Sequence, residues 1–370
     1  MIIGLPKEIK NSEFRVAMTP KNVQRLTSLG HQVVVQKSAG EAIGISNEDY
    51  KQGGAELLES LEDVYQKSDM IVKVKEPLAK EYPLLKEGQI LFTFLHLAAQ
   101  KELSTLLCAK SVSALAYETI EKENKQLPLL RPMSAIAGRV GLQNAIYYLQ
   151  NFVGGKGILP GGIKGTKKAD ITILGGGVAG LNSALCAVGL EAQVTLLDID
   201  EKKLKKFSDL FQGKVKCLLS NEKNILSRLK KTDILIGSVL ITGHKAPKLI
   251  NKDMISSMPE KSVVVDISID QGGCIETARP TSHTKPTYIE RGVIHYCVPN
   301  IPSAVARTST FALTNKSYPY IEEIANKGLK QALKKLPELK KGLNTYKGYI
   351  TYQPVAEALN LNFQALEDLL

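Results

Sequence analysis

Between Ala169 and Asp198 an apolar run meets Gly175-Gly176-Gly177-Val178-Ala179-Gly180, and a second apolar run ends in an aspartate. Few architectures accept that order. Asp170-Ile-Thr-Ile-Leu174 is β-branched and short enough for a buried parallel strand, while Val178–Leu190 has the length and alanine content of a helix. Gln193-Val-Thr-Leu-Leu197 reads as the next strand. In such a strand–turn–helix, Gly175 permits the tight turn, Gly177 lets a pyrophosphate approach the backbone, and Gly180 lets the helix pack closely on the sheet. The helix amino terminus adds unpaired N–H groups and the positive end of its dipole.

A glycine-rich turn alone is weak evidence, because such turns occur wherever the backbone needs positive φ. Asp198 strengthens it. It stands at the end of the second strand, at the fingerprint spacing, where a carboxylate accepts the ribose hydroxyls of adenosine and repels a 2′-phosphate. The expected cofactor is therefore NAD rather than NADP, with Lys202 and Lys203 close enough to blur the choice. The alternative for Asp198 is a turn residue that ends a strand.

At 370 residues the chain exceeds a comfortable single core, and two domains are expected. The opening Met1-Ile-Ile-Gly-Leu-Pro-Lys-Glu lacks the pattern of a signal peptide, and no apolar run approaches membrane-spanning length. Cys108, Cys186, Cys217, Cys274 and Cys297 are scattered, without metal-type spacing, so no metal is expected and a reducing cytoplasm fits. The net charge of +11 raises nucleic acid as a partner, but only eight of the 48 basic residues are arginine. The densest run, Lys330 to Lys341, reads as a solvated helix and hairpin turn. Neither nucleic acid nor membrane is expected as a partner.

Short apolar runs at Ile2–Leu5, His31–Gln36, Met70–Val74, Gln89–Phe94 and Ser111–Ala116 read as strands, with helices at Lys21–Ser28, Leu57–Lys67 and Ala99–Lys110. This alternation argues for a doubly wound α/β domain preceding the glycine loop. A long helix over Ser134–Phe152 then leads into a Rossmann sheet. Val215–Leu219, Ile234–Ile236, Val263–Ile267 and Ile294–Val298 bring that sheet to about six strands. The tail from Thr308 reads as mostly helical and too small to be a domain. The expectation is two doubly wound α/β domains: 129–306 binding NAD, inserted into a discontinuous substrate domain of 1–128 and 307–370.

In open α/β sheets ligands bind outside the carboxyl ends of the strands, so polar residues there carry weight. Arg15 follows the first strand, Lys75 ends Met70-Ile-Val-Lys-Val-Lys, His96 follows Ile90-Leu-Phe-Thr-Phe-Leu, and Asp270 follows Val263-Val-Val-Asp-Ile-Ser-Ile. A guanidinium and an ammonium hold a small carboxylate, while an imidazole and a carboxylate handle protons. Hydride transfer needs no protein nucleophile. Taken singly, each has a structural alternative: His96 a core histidine, Lys75 a snorkelling strand end, Arg15 a salt bridge, Asp270 the start of a turn. The residues alone lead to an NAD-dependent dehydrogenase of a small acid, with these four groups facing the nucleotide cradle.

The chain closely resembles the alanine dehydrogenase branch of the alanine dehydrogenase and pyridine nucleotide transhydrogenase family over nearly its whole length. The resemblance is carried by Gly4-Leu-Pro-Lys-Glu8, Glu13-Phe-Arg-Val-Ala-Met-Thr-Pro20, Val74-Lys-Glu-Pro77, Leu91-Phe-Thr-Phe-Leu-His-Leu-Ala98, the glycine loop and Val265-Asp-Ile-Ser-Ile-Asp-Gln-Gly-Gly-Cys274. Pro299-Asn-Ile-Pro302 and Thr308-Ser-Thr-Phe-Ala-Leu-Thr314 add to it. It implies reversible oxidative deamination of L-alanine to pyruvate and ammonium with NAD, in a homohexamer. It further implies that Arg15 and Lys75 bind substrate, His96 is the acid/base, Asp270 assists proton transfer, and Met133 and Asn300 shape the pocket. Ser134, Val178, Ala179, Asp198, Lys203, Ser220, Val239, Leu240 and Ile267 resemble the cofactor contacts. An acidic residue is expected after Ser134, and Ala135 stands there instead.

Three rivals remain. A soluble NAD-binding transhydrogenase subunit shares the glycine loop but would not need Arg15, Lys75 and His96 together. A saccharopine dehydrogenase would need a wider crevice. A non-catalytic nucleotide-binding protein or lysine-rich nucleic-acid binder would bind without turnover.

Overall fold

The computed structural model describes residues 1–239 and 246–370. Strands β1 (Ile2–Leu5), β2 (Gln32–Gln36), β3 (Glu56–Leu58), β4 (Met70–Val72), β5 (Ile90–Thr93) and β6 (Ser113–Ala116) alternate with helices. These helices are α1 (Pro20–Ser28), α2 (Asn47–Gln52), α3 (Leu61–Lys67) and α4 (Lys101–Ala109). Helix α5 (Leu130–Tyr148) precedes β7 (Asp170–Leu174), α6 (Val178–Gly189), β8 (Gln193–Asp198), α7 (Glu201–Phe211), β9 (Val215–Leu219), α8 (Glu222–Leu229) and β10 (Ile234–Gly237). Then come α9 (Lys252–Ser256), β11 (Val263–Asp266), β12 (Thr287–Glu290) and β13 (Val293–Tyr296). The tail holds α10 (Ala306–Lys327), α11 (Leu329–Lys335), α12 (Glu338–Gly342), β14 (Leu343–Tyr346), β15 (Tyr349–Ile350) and α13 (Gln353–Leu359).

Two compact units result. One comprises Met1–Met133 with Val305–Leu370, the other Ser134–Ala304. The sequence-based breaks stood at 128/129 and 306/307; the first break in the structure falls inside α5.

In the terminal unit the sheet order is β15-β14-β6-β5-β4-β1-β2-β3. Pairing is parallel from β3 to β6, and antiparallel where β14 joins β6 and β15 joins β14. Because β1 has β2 on one side and β4 on the other, the winding reverses at β1, and a crevice opens at the carboxyl ends there. Val34, Ile71 and Leu91 from the sheet pack with Leu103 and Leu107 of α4 and with Ile350 and Val355 of the tail in one buried cluster. Burial of those tail side chains holds the chain's end to its beginning.

The central unit orders its strands β12-β13-β11-β10-β7-β8-β9. All pair in parallel except β12, antiparallel to β13. Leu174, Leu197, Leu235 and Val264 meet Ile225 and Leu229 of α8 in its core. On α5, a Cβ at Gly138 would lie 2.1 Å from the Ala179 carbonyl oxygen, so only glycine lets the helix approach that closely. The Ser183 hydroxyl of α6 donates to the Gly138 carbonyl at 2.8 Å and fixes the crossing.

The doubly wound α/β class holds for both units, with corrections to individual elements. Glu56–Leu58 was expected within a helix over Leu57–Lys67, but it pairs with β2, and Ser60 caps a helix that starts at Leu61. Helix α5 starts before Ser134 and ends before Phe152. The edge strand β12, half exposed, was not expected. The tail is mostly helical, as expected, but β14 and β15, which were not expected, extend the first sheet. The lysine-rich run forms two short helices, α11 and α12, instead of a helix and hairpin turn, with Pro337 standing just before α12.

Candidate active site

At the carboxyl end of β1 the chain must leave the sheet, and acidic side chains organise the cations gathered there. Glu13 is buried and grips Arg15 with both carboxylate oxygens: Nε donates to Oε1 at 2.7 Å and Nη2 to Oε2 at 2.6 Å. Nη1 of Arg15 also lies 3.1 Å from the Met133 sulfur. A forked guanidinium held edge-on by a carboxylate has its plane fixed. Its charge reaches Lys75, where burial first, and the Arg15 guanidinium second, hold the ammonium below its ordinary range. Glu76, beside it, is paired with Lys10. Burial raises the Glu76 carboxyl, but Lys10, Lys75 and His96 outweigh that and leave it below its usual range.

His96 follows β5 in the left-handed region, φ 51° and ψ 39°. A non-glycine residue is held there only when its surroundings impose it. Glu118, after β6, does so: its Oε1 accepts the Leu95 N–H at 3.2 Å and the His96 N–H at 2.6 Å. The imidazole lies nearly parallel to the Phe94 ring and is half-buried.

Arg15, Lys75, His96 and Met133 thus belong to the terminal unit, at the carboxyl ends of its strands or beside Arg15. Asp270 and Asn300 belong to the central unit. Asp270 is exposed, in a short helical turn over Ile269–Gln271, and Asn300 has φ 63°. Nearby, Asp266 at the end of β11 was missed. Its Oδ1 accepts the Ser268 N–H and its Oδ2 the Ile275 N–H, both at 3.1 Å, and burial pushes its carboxyl up to about 6. It ties down the loop that carries Asp270.

The glycine loop sits at the reversal of the central sheet, where β7 lies between β8 and β10. Gly175 has φ 92°, and its N–H donates to the Leu197 carbonyl at 2.8 Å. The Ser238 hydroxyl, at the end of β10, donates to the carbonyls of Leu174 and Gly175. A Cβ at Gly180 would lie 1.9 Å from the Gly175 oxygen, whereas at Gly177 it would meet no protein atom nearer than 4.0 Å. The turn is therefore closed underneath and open in front. Helix α6 begins at Val178 without a side-chain cap, leaving its first N–H groups to a ligand.

Asp198 is buried, and its Oδ2 accepts the Gly176 N–H at 2.6 Å while Oδ1 accepts the Asp200 N–H at 2.9 Å. A carboxylate has about four lone-pair sites, so acceptor capacity remains for ribose hydroxyls. Ser220 donates its N–H to the Asp198 carbonyl at 2.9 Å. Ser134, Val178, Val239 and Ile267 are half-buried in this unit, Ala179 is buried and Lys203 is exposed. Leu240 lies outside the described residues. Among those residues no group of side chains suits a metal ion, and no helix is long and apolar enough to cross a membrane.

Two reversed parallel sheets, one with an open glycine turn and an aspartate behind it and the other with clamped cations, place the chain in the nucleotide-binding α/β class. Residues 4–137 match the family model "Alanine dehydrogenase/PNT, N-terminal domain" and residues 141–353 match "Alanine dehydrogenase/PNT, C-terminal domain". The chain belongs to the alanine dehydrogenase/PNT family. It is 51% identical over 371 aligned positions to an alanine dehydrogenase of Methanococcus maripaludis, covering 100% of both chains. A solved L-alanine dehydrogenase superposes with a TM-score of 0.93 at 46% identity, covering 97% of this chain and 99% of that one. A transhydrogenase from Sinorhizobium meliloti, 24% identical with a TM-score of 0.81 over 95% of this chain and 99% of that one, shares the fold.

Proposed function

We propose that this chain is an NAD-dependent L-alanine dehydrogenase, interconverting L-alanine, NAD and water with pyruvate, ammonium, NADH and a proton. The carrying observation is the clamped guanidinium: Glu13 fixes Arg15 beside the Lys75 ammonium, in a chain half identical end to end to a protein named alanine dehydrogenase. A small 2-oxo acid has one carboxylate and one adjacent carbonyl. Two cations of which one is a planar fork suit that pair of groups.

The cradle fits a dinucleotide, because Gly177 leaves room in front of the turn, α6 is uncapped, and Asp198 retains acceptor capacity. Gly175, Gly177, Val178, Ala179 and Gly180 would hold the pyrophosphate, and Asp198 the adenosine ribose. When bound, the nicotinamide supplies or accepts hydride at C2 of the substrate. Arg15 and Lys75 hold the carboxylate and carbonyl of pyruvate, and Lys75 draws electron density from C2 so that ammonia adds there. His96 delivers the proton with which the C2 hydroxyl leaves as water, and takes one back in deamination. Asp270 steadies the water or amine, and Met133 and Asn300 limit the pocket to a methyl group. The same reading carries a homohexamer in the cytoplasm, and light scattering of the purified protein tests the hexamer.

The test is to follow NADH absorbance with pyruvate and ammonium, then with glyoxylate, with 2-oxobutyrate and with NADPH. Strict dependence on ammonium is expected. Oxidation of NADH by pyruvate alone would move the chain to 2-hydroxy acid chemistry, and hydride exchange between nucleotides without pyruvate would favour the transhydrogenase reading. His96→Ala and Asp270→Asn should each lower turnover about 10²- to 10⁴-fold while NADH still binds. Near-normal turnover in either variant removes that residue from the mechanism.

A further inference from the structure

Lys75 stands beyond the end of its strand. The ladder between β4 and β5 stops at Val72 opposite Phe92, so the next peptide groups need other partners. The Lys73 N–H still reaches the Phe92 carbonyl at 3.1 Å. The Phe94 N–H in turn donates to the Val74 carbonyl at 3.2 Å, but the N–H groups of Val74 and Lys75 turn to a side chain. Oε1 of Glu8 accepts the Val74 N–H at 2.6 Å and lies 3.4 Å from the Lys75 nitrogen. On the other side of that residue, the buried Thr93 hydroxyl donates to the Lys75 carbonyl at 2.9 Å. The Leu78 N–H, further on, donates to Glu81 at 2.9 Å.

Glu8 is itself held by an unusual group. Lys73 is buried to within 1% of complete, its Nζ 2.6 Å from Glu81 and 3.4 Å from the second oxygen of Glu8. Tyr65 donates its hydroxyl to the same Glu81 oxygen at 2.9 Å. A buried ammonium between two buried carboxylates cannot slide, because moving any member strands a charge without water. Nothing in the proposed chemistry uses Lys73, Glu8 or Glu81, yet their hydrogen bonds converge on the backbone that carries Lys75.

We propose that Glu8 and Thr93 are positioning residues for Lys75, gripping its backbone from the N–H and C=O sides, and that Lys73 locks Glu8 in place. The inference deepens the reading of Lys75 as a substrate contact and rests on it. Burial disfavours the Lys73 charge, but Glu8 and Glu81 outweigh it and hold the ammonium above its ordinary range, while burial lifts the Glu8 carboxyl against the pull of Lys73.

Steady-state kinetics with NADH, ammonium and varied pyruvate, alongside NADH titration by fluorescence, separate the cases. Lys75→Met should raise the pyruvate KM, and an unchanged value sinks the reading of Lys75 itself. Glu8→Ala and Thr93→Val should each raise the pyruvate KM by about threefold to tenfold and leave the NADH Kd within about twofold. Glu8→Gln, which keeps an acceptor oxygen for the backbone, should recover most of the loss. In a Lys75→Met background both variants should add less than about twofold, because groups acting through one residue are not additive. Thr93→Val is nearly isosteric and carries the test if Glu8→Ala does not fold. Normal pyruvate KM in Thr93→Val, an equal rise in NADH Kd, or full additivity with Lys75→Met overturns the proposal while leaving Lys75 as a substrate contact.

Discussion

In the terminal unit the candidate site is made of charges held by other charges; in the central unit the cradle is made of backbone. Arg15 is clamped by Glu13 and Lys73 by Glu8 and Glu81, with the His96 backbone pinned by Glu118. The glycine turn has a single carboxylate, Asp198, and owes its shape to positive φ and the absence of Cβ atoms. A site built from side chains depends on every partner being present. A site built from backbone depends on what is missing, so it fails by addition of atoms.

The largest effect should come from breaking a clamp. Glu13→Ala removes the bidentate acceptor of a buried guanidinium and should cost about 3 to 5 kcal/mol of stability by urea unfolding, with pyruvate binding lost as well. A loss within surface-mutation range would mean that the clamp is incidental. The central unit should respond to added methyl groups in two ways. Gly180→Ala drives a Cβ into the Gly175 carbonyl and should destabilise the protein by about 1 to 3 kcal/mol. Gly177→Ala meets only open space and should leave stability within about 0.5 kcal/mol while weakening NADH about tenfold. Equal melting temperatures for the two variants would refute the open-front, closed-back description.

Asp266 tests whether a carboxylate in the backbone-built unit behaves like those in the other. Its folded carboxyl keeps its proton up to about 6, above the unfolded value near 3.8, so the folded state binds more protons in between. Its contribution is therefore fullest below 3.8 and is lost as pH rises to about 6. Relative to Asp266→Asn, the parent should lose no more than about 3 kcal/mol across that window, and parallel curves would show an ordinary carboxyl. The smallest effect belongs to Asp198→Ala, which should weaken NAD more than NADP by about tenfold or less. An unchanged preference would place the ribose elsewhere.

The contrast also explains what could be read in the sequence. Backbone constraints are local: Gly175, Gly177 and Gly180 lie within six positions, and Asp198 comes at a set distance on, so the cradle was legible. Arg15, Lys75 and His96 were legible as strand-end charges. Their partners were not, because Glu8 meets Lys73 across 65 positions and no short spacing records it. Glu118 was passed over for the same reason, hidden in the run after β6. Strands β3 and β12 escaped because each is short, half exposed and at a sheet edge, where alternation is weak. The tail strands escaped because they are only four and two residues long and stand between helices.

The hairpin of β14 and β15 has a consequence for how the molecule is made. Its antiparallel edge completes a sheet whose other six strands end by residue 116, with an entire second sheet encoded in between. On the ribosome, the inserted nucleotide-binding body can close as soon as β13 has emerged. The surrounding body must wait, half built and with the β6 edge bare, until β14 and β15 are translated. Maturation is therefore expected to run from the insert outward, with the segment that precedes it becoming fully native only after the segment that follows.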